Sequence, residues 1–277
     1  MSIITISRGS YSRGKEIAER LALRLGYECI SRDILLEASD EFNIPEIKLI
    51  RALHDATSVL ERFSHGKERY ISYIRASLLQ HLRKDRIVYH GLAGQFLVGD
   101  IPHVLKVRIT ADMQIRVNEE MRRENIPAEK ALYTLRKDDE ERRKWGLQMY
   151  GADTWDSRLY DMVLHIGKLT VEDAVDILFE TVQKPSFQST EESRKGVEDL
   201  ALSAKVKAHL IKIAPRIQVS ADRSRICISG TGDVLAAKNK AEIKTIAMEV
   251  EGVEEVIFNV TTPPEQQGHV NPFQNIG

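Results

Sequence analysis

The chain alternates short apolar runs with longer stretches whose apolar residues recur every three or four positions. Ile3-Ile4-Thr5-Ile6 has no helical period and fits a strand buried in a parallel sheet. From Gly14 the period changes. Ile17, Leu21 and Leu25 recur every four residues, with Ala18 and Ala22 beside them, so an amphipathic helix is predicted, and Gly26 is placed to end it as a C-cap. Tyr27 to Ile30 reads as a second short strand. Asp33 to Arg83 reads as helices, with Ile71, Ile74, Leu78 and Leu82 on one stripe near its end. Ile87 to His90 is a strand closed by Gly91, and Val104 to Ile109 is another. Val163 to Ile166 is a third late strand. Thr170-Val171-Glu172-Asp173 carries the capping chemistry of a helix start, continued by Ala174, Val175, Leu178 and Val182. Strands alternating with helices in this way predict an α/β domain built on a mainly parallel sheet flanked by helices.

A different pattern follows. Lys184 to Ser193 is polar and contains proline, which marks a linker. Leu200 to Ile213 is predicted as a helix, with Leu202, Val206, Leu210 and Ile213 on one stripe. Ile217 to Val219 and Ile226 to Gly230 alternate as strands, Val234 to Val250 is helical, and Val253 to Val260 is a last strand. The order helix, strand, strand, helix, strand describes a small α+β unit. The expected boundaries are 1–183 for the first domain, 184–197 for the linker and 198–261 for the second domain. A tail at 262–277, rich in Pro, Gln, Gly and Asn, is expected to be disordered.

Composition changes this picture little. At 277 residues the chain exceeds one average domain. Its 42% hydrophobic and 29% charged residues are ordinary for a soluble protein that can bury a core. A net charge of −1 gives no general attraction to nucleic acid, and no nucleic-acid partner is expected. Cys29 and Cys227 each sit in an apolar run and read as two buried free thiols in a reducing cytoplasm. The N-terminus reads as a core strand rather than a signal peptide, and no run is long enough to span a membrane.

The chemistry lies between the first strand and the first helix. Gly9-Ser10-Tyr11-Ser12-Arg13-Gly14-Lys15-Glu16 has the glycine and lysine spacing of a phosphate loop. Such a loop aims backbone N–H groups at an anion, and the helix dipole adds to the attraction. Lys15 is placed to bridge phosphates. Glu16 stands where a Mg2+-binding Ser or Thr is usual; its carboxylate could reach Mg2+ through water or simply favour the helix N-terminus. Arg8 and Arg32, each after a strand, are candidate phosphate or acceptor contacts or ordinary surface residues. His90 stands at a strand end, where open α/β sheets place ligand groups, or else packs in the core. Arg116 and Arg122, on one helix, read as surface salt-bridge partners.

Several of these stretches resemble the cytidylate kinase-like family: Ile6 to Arg8 with Ser12 to Ala18, Val88 to Leu97, Lys137 to Arg142, and Leu159 to Leu164 followed by Leu169 to Ala174. The resemblance covers about residues 1–183. It implies a P-loop kinase-type parallel sheet, ATP as phosphoryl donor with Mg2+, and a CMP- or dCMP-like acceptor. It places a mobile lid on the charged run Arg136 to Lys144. Asp139 and Arg142 would form an orienting pair on one helix face, with Arg136 and Arg143 as further cations. On this reading Lys15, Asp139 and Arg142 are catalytic. Arg8, Gly9, Ser10, Ser12, Arg13, Gly14, Lys15 and Glu16 bind nucleotide phosphate, Arg32, Gly91 and Arg136 bind the acceptor, and no side-chain cluster marks a metal site. The chain departs from the family pattern at Tyr11 and Arg13, at Glu16, and at Leu92, where the family has an arginine.

Residues 198–260 resemble a BON domain in Leu200 to Lys207, Ile217 to Val219, Ile226 to Gly230 and Gly252 to Val256. That resemblance implies a module binding a partner protein, a small ligand or a membrane surface. Lys205, Lys207, Lys212 and Arg216 form either a basic face or an ordinary solvated one. Three functions are open: a nucleoside-monophosphate kinase, a catalytically weak nucleotide sensor signalling through the second domain, and a kinase for another small acceptor. A homo-oligomer is open as well.

Overall fold

The computed structural model describes residues 2–31, 33–45, 48–49, 66–91, 93–232 and 235–261. In chain order the elements are β1 (Ile3–Arg8), α1 (Gly14–Leu25), β2 (Glu28–Ile30), α2 (Asp33–Phe42), α3 (Gly66–Leu82), β3 (Ile87–His90), α4 (Gly94–Leu97) and β4 (Val104–Ala111). There follow α5 (Met113–Glu124), α6 (Ala128–Tyr150), β5 (Met162–Ile166), α7 (Val171–Val182), α8 (Glu191–Leu210), β6 (Gln218–Asp222), β7 (Arg225–Thr231), α9 (Ala237–Met248) and β8 (Glu255–Thr261). The chain divides into two compact units. One holds the described residues of 2–33 and 84–190, and the other those of 34–83 and 191–261.

The first unit is built on a parallel sheet in the order β2-β3-β1-β4-β5, flanked by helices. The central place of β1 explains its composition. Ile3, Ile4, Thr5 and Ile6 are all buried because neighbours close both edges and elements cover both faces. Ile17, Ala18, Leu21 and Ala22 of α1 and Ala174, Val175, Leu178 and Val182 of α7 share one core with Ile4, Ile6, Val107 and Ile109. Helix α1 ends as its sequence predicts. Gly26 takes φ 66°, and the Tyr27 N–H donates back to the Ala22 carbonyl at 2.9 Å. At the start of α7, Thr170 and Asp173 cap each other's backbone N–H groups. The chain leaves β1 for β2 on one side, returns to β3, and crosses to β4 on the other. The C-terminal end of β1 therefore lies at a topological switch point, where open sheets form a crevice.

From α8 onward the second unit runs helix, strand, strand, helix, strand. Strands β6 and β7 pair antiparallel and β7 and β8 parallel, giving a small mixed sheet. Val206, Leu210, Ile226, Ile228, Ile243 and Ala247 lie in its core. Helix α8 begins at Glu191, inside the stretch expected to be linker. Glu191 and Glu192 suit a helix N-terminus, and Val197 is already buried. The helix ends at Leu210, which leaves Ile213 exposed rather than on the predicted stripe. Helices α2 and α3 group with this unit: the Phe42 ring stacks on Tyr73 at 4.4 Å and meets the His209 ring edge-on at 5.6 Å. Lys207 does not join a basic face. Its ammonium donates to the carbonyls of Pro215 and Ile217, and burial pushes its pKa down to about 8.

Both cysteines are free, as expected, but half-buried rather than buried. Burial, with Glu19 and Asp33 adding to it, pushes the Cys29 thiol up to about 11, which keeps it unreactive. Among the described residues no helix is long and apolar enough to cross a membrane. The tail expected at 262–277 lies outside the described residues.

Candidate functional site

The loop from Gly9 to Arg13 connects β1 to α1. Two of its residues, Tyr11 at φ 56° and Arg13 at φ 65°, take the left-handed conformation that glycine adopts without cost. Each costs roughly 1–2 kcal/mol in a residue with a side chain. The side chain of Tyr11 offsets this by packing with Met113, Met121, Ile126 and Leu132 against the Val117–Ala131–Leu135 cluster, and the Arg123 guanidinium lies 5.6 Å from its ring. Tyr11 is therefore an anchor, whereas Arg13 pairs with Glu16 on the exposed helix surface. Ser12 is buried, with its hydroxyl 3.0 Å from the Gly9 carbonyl and 3.1 Å from that of Ile109. Gly14 is required by close approach, since a Cβ there would lie 2.7 Å from Arg8 Cβ. The Ile17 N–H is the first in α1 to find a helical acceptor, the Arg13 carbonyl at 3.0 Å. That leaves the amides of Gly14, Lys15 and Glu16 for an anion.

Helices α5 and α6 hold the loop from the other side. Arg116 is only 7% exposed; its Nε donates to the Ser10 carbonyl at 2.8 Å, and its Nη1 and Nη2 form a fork to Asp139 at 2.8 and 2.9 Å. The expectation of a surface salt bridge fails here, because the partner lies inward on α6. Arg122 does pair on the surface, with Glu119. The Ser10 hydroxyl donates to Asp138 at 2.9 Å and accepts from Arg142 Nη2 at 2.8 Å. Asp138 and Arg142 thus meet the loop directly, and Asp139 meets it through Arg116. Asp139 and Arg142 are not each other's main partner, with 3.9 Å between their charged atoms. Burial lowers the pKa of Arg142, while Asp138 and Asp139 oppose that shift.

The remaining expected residues are placed as follows. Lys15 is exposed and faces Glu19 at 3.6 Å, one turn along α1. Glu16 is held between Arg13 at 3.0 Å and Arg20 at 2.6 Å, so its carboxylate is committed to the helix surface and does not fit the place of a Mg2+ ligand. Arg136 is exposed on α6 and does not line the cleft described next. Arg143 binds Asp153 through Nε and Nη2 rather than turning to an anion. Gly91 follows β3, where a Cβ would come within 2.4 Å of the Tyr89 hydroxyl. Arg32 and Leu92 lie outside the described residues.

A cleft of about 360 Å³, partly open to solvent, lies at the C-terminal end of β1. Arg8, Gln95, Arg108, Arg142, Trp145 and Trp155 line it, together with Gly9 and Asp139. Three guanidinium groups against one carboxylate make it a site for an anion. Arg108 is held by the Thr154 carbonyl at 2.7 Å. Arg108, Gln95 and Trp155 were not singled out from the sequence. Arg108 did carry a signal: it is a charged residue inside a predicted strand, Val104 to Ile109.

His90 closes β3 and pairs with Ile6 of β1. It is buried, and its pKa falls to about 4, chiefly through burial, then through Arg8, with Lys15 adding and Glu19 and Asp33 opposing. Between pH about 6.5 and 4 the unfolded chain would bind the proton that the folded one refuses. The contribution of His90 to stability is therefore complete above 6.5 and is lost as pH falls through this window. A histidine NMR titration should show one resonance with a midpoint near 4 that is absent in His90→Gln; a midpoint of 6 or above would contradict the burial.

The model of the cytidylate kinase-like family matches residues 3–168. The cytidylate kinase of Desulfurococcus amylolyticus is 32% identical over 101 residues, 36% of this chain and 54% of that protein. That of Staphylothermus marinus is 29% identical over 101 residues, 36% of this chain and 56% of that protein, so this chain spans little more than half the length of either. The cytidylate kinase of Sulfolobus acidocaldarius is 21% identical over 187 residues, 67% of this chain and 97% of that protein. In fold, an uncharacterized protein from Eubacterium ventriosum superposes with a TM-score of 0.51 at 23% identity, covering 66% of this chain and 99% of that one. With the family model spanning more than half of its length, this chain belongs to the cytidylate kinase-like family.

Proposed function

We propose that the first unit transfers a phosphoryl group from ATP to a nucleoside monophosphate with a cytidylate-like base. The observation that carries this reading is the junction at Ser10, where Arg142 of the charged helix meets the phosphate loop beside a cleft holding two more arginines. Phosphoryl transfer needs positioning and positive charge around the migrating group more than covalent chemistry from the protein. The free amides of Gly14, Lys15 and Glu16 hold donor phosphates. Lys15 joins them by leaving Glu19, an exposed pair whose loss costs no more than about 1 kcal/mol. Arg142 stabilises the transferring group, and Arg116 with Asp139 positions the loop. ATP, when bound, supplies the phosphoryl group. The family implies Mg2+ as well, but the loop offers the ion no uncommitted carboxylate or hydroxyl, and no step is assigned to it.

One observation favours a second reading, a nucleotide sensor with weak catalysis. The polar side chains of the loop are already engaged: Ser10 by Asp138 and Arg142, Glu16 by Arg13 and Arg20. In either case we read the second unit as a BON-like binding module for a partner protein, small ligand or membrane surface, supported by its strand and helix order. The test is incubation with ATP, Mg2+ and a panel of nucleoside monophosphates, followed by detection of ADP and diphosphates. Turnover that falls at least tenfold in Lys15→Ala supports the kinase. Nucleotide binding without turnover supports the sensor, and turnover indifferent to Lys15→Ala overturns the assignment of the loop.

A further inference from the structure

The chain has two tryptophans, and both line the cleft. Trp145 is buried, in a ring cluster with Phe96 and Tyr150. Trp155 is 54% exposed, yet it is fastened. Its backbone N–H donates to Asp153 Oδ1 at 2.9 Å. Arg143 grips the same carboxylate and lays its guanidinium 4.6 Å from the centre of the indole ring. An exposed aromatic held in this way costs no ordering when a flat group stacks on it. Among the described residues Trp155 belongs to none of the first unit's core clusters.

Gln95 supplies the second observation. It stands in the short helix α4, is only 7% exposed, and lines the same cleft. Its side-chain carbonyl oxygen is buried and makes no hydrogen bond among the described residues. Buried polar atoms are nearly always paired, so an unpaired one lining a cleft points to a ligand that donates to it. Arg108, held at one nitrogen by the Thr154 carbonyl, adds fixed positive charge to the same lining.

We propose that Trp155 and Gln95 form the base pocket of the phosphorylated acceptor: the indole stacks on a planar nitrogen heterocycle, and the Gln95 carbonyl accepts a hydrogen bond from an N–H on its edge. The ligand class is a nucleoside monophosphate whose base carries such a donor. The pocket rests on the reading of the cleft as an acceptor site, but it is tested by binding and does not depend on turnover. Neither residue is among the acceptor contacts expected from the sequence at Arg32, Gly91 and Arg136.

The test compares CMP with ribose 5-phosphate, which keeps the phosphate and sugar and lacks the base, by calorimetry on the full chain without ATP. The wild type should bind CMP at least tenfold more tightly, as expected for one stacked base. Trp155→Ala and Gln95→Met should each reduce that preference several-fold while leaving ribose 5-phosphate binding unchanged. CMP, but not ribose 5-phosphate, should quench tryptophan fluorescence in the wild type, and Trp155→Leu should lose the quench. Equal affinity for the two ligands, or a CMP preference untouched by both variants, overturns the pocket. The kinase assay is read separately. A base preference without turnover leaves the pocket standing and removes the kinase, whereas turnover with an unchanged preference in both variants does the reverse.

Discussion

Arg116→Met is expected to lower the stability of the first unit by about 3–5 kcal/mol, the range for removing one partner of a buried ion pair. The side chains of Arg116 and Asp139 are 8% and 15% exposed, so the variant strands a carboxylate that water cannot fully reach. It also leaves the Ser10 carbonyl without its donor. The loss comes less from the attraction between the charges than from the isolated charge left behind. Adding Asp139→Leu should therefore recover part of the stability, although it removes a second polar group. Arg116→Lys should fall in between, because one ammonium cannot serve the Ser10 carbonyl and both carboxylate oxygens in the geometry of the guanidinium fork. Urea unfolding followed by tryptophan fluorescence isolates this unit, since Trp145 and Trp155 both belong to it. A loss below about 1 kcal/mol in the single variant, or a double variant less stable than the single one, would show that the pair is not buried as described.

Arg116 also shows where sequence reading stops. The strand, loop and helix around Gly9–Lys15 were legible because their signals are local: an apolar run, a glycine and lysine spacing, and a four-residue period ended by Gly26. Ser10 and Arg142 were each singled out, but their meeting across 132 positions leaves no local trace. Arg116 reads as one more charge on a polar helix face. Its burial follows from Asp139 arriving on another helix, a fact of tertiary packing. Tyr11 and Arg13 are similar. Both look like defects in a phosphate loop, and for Tyr11 the surrounding cluster shows what holds its left-handed backbone in place. The same limit affected α2 and α3. The apolar stripe of α3 predicts that it packs, but not that its partner is α8 rather than the parallel sheet. Lys207 was misplaced because its backbone acceptors, at Pro215 and Ile217, come from the turn before β6.

The second large effect is expected at Arg142. If this residue stabilises the transferring phosphoryl, Arg142→Met should lower kcat about 10²- to 10³-fold, as for loss of a preorganised donor to developing charge, with a much smaller change in KM. A structural role makes a different prediction. Arg142 also donates to the Ser10 hydroxyl, so its loss could act only by loosening the loop. Ser10→Ala separates the two, since it deletes that contact and the bond to Asp138 while leaving the guanidinium in the cleft. On the catalytic reading Ser10→Ala loses less than tenfold in kcat, because Arg142 is then released towards the nucleotide. On the structural reading the two variants lose equally. Arg142→Lys refines the result: it keeps a charge but not the fork, and should recover only part of kcat. Thermal unfolding provides the control, because Arg142 is held less deeply than Arg116, with 21% of its side chain exposed against 8%. Its loss should therefore cost less stability than Arg116→Met while costing more turnover than Ser10→Ala.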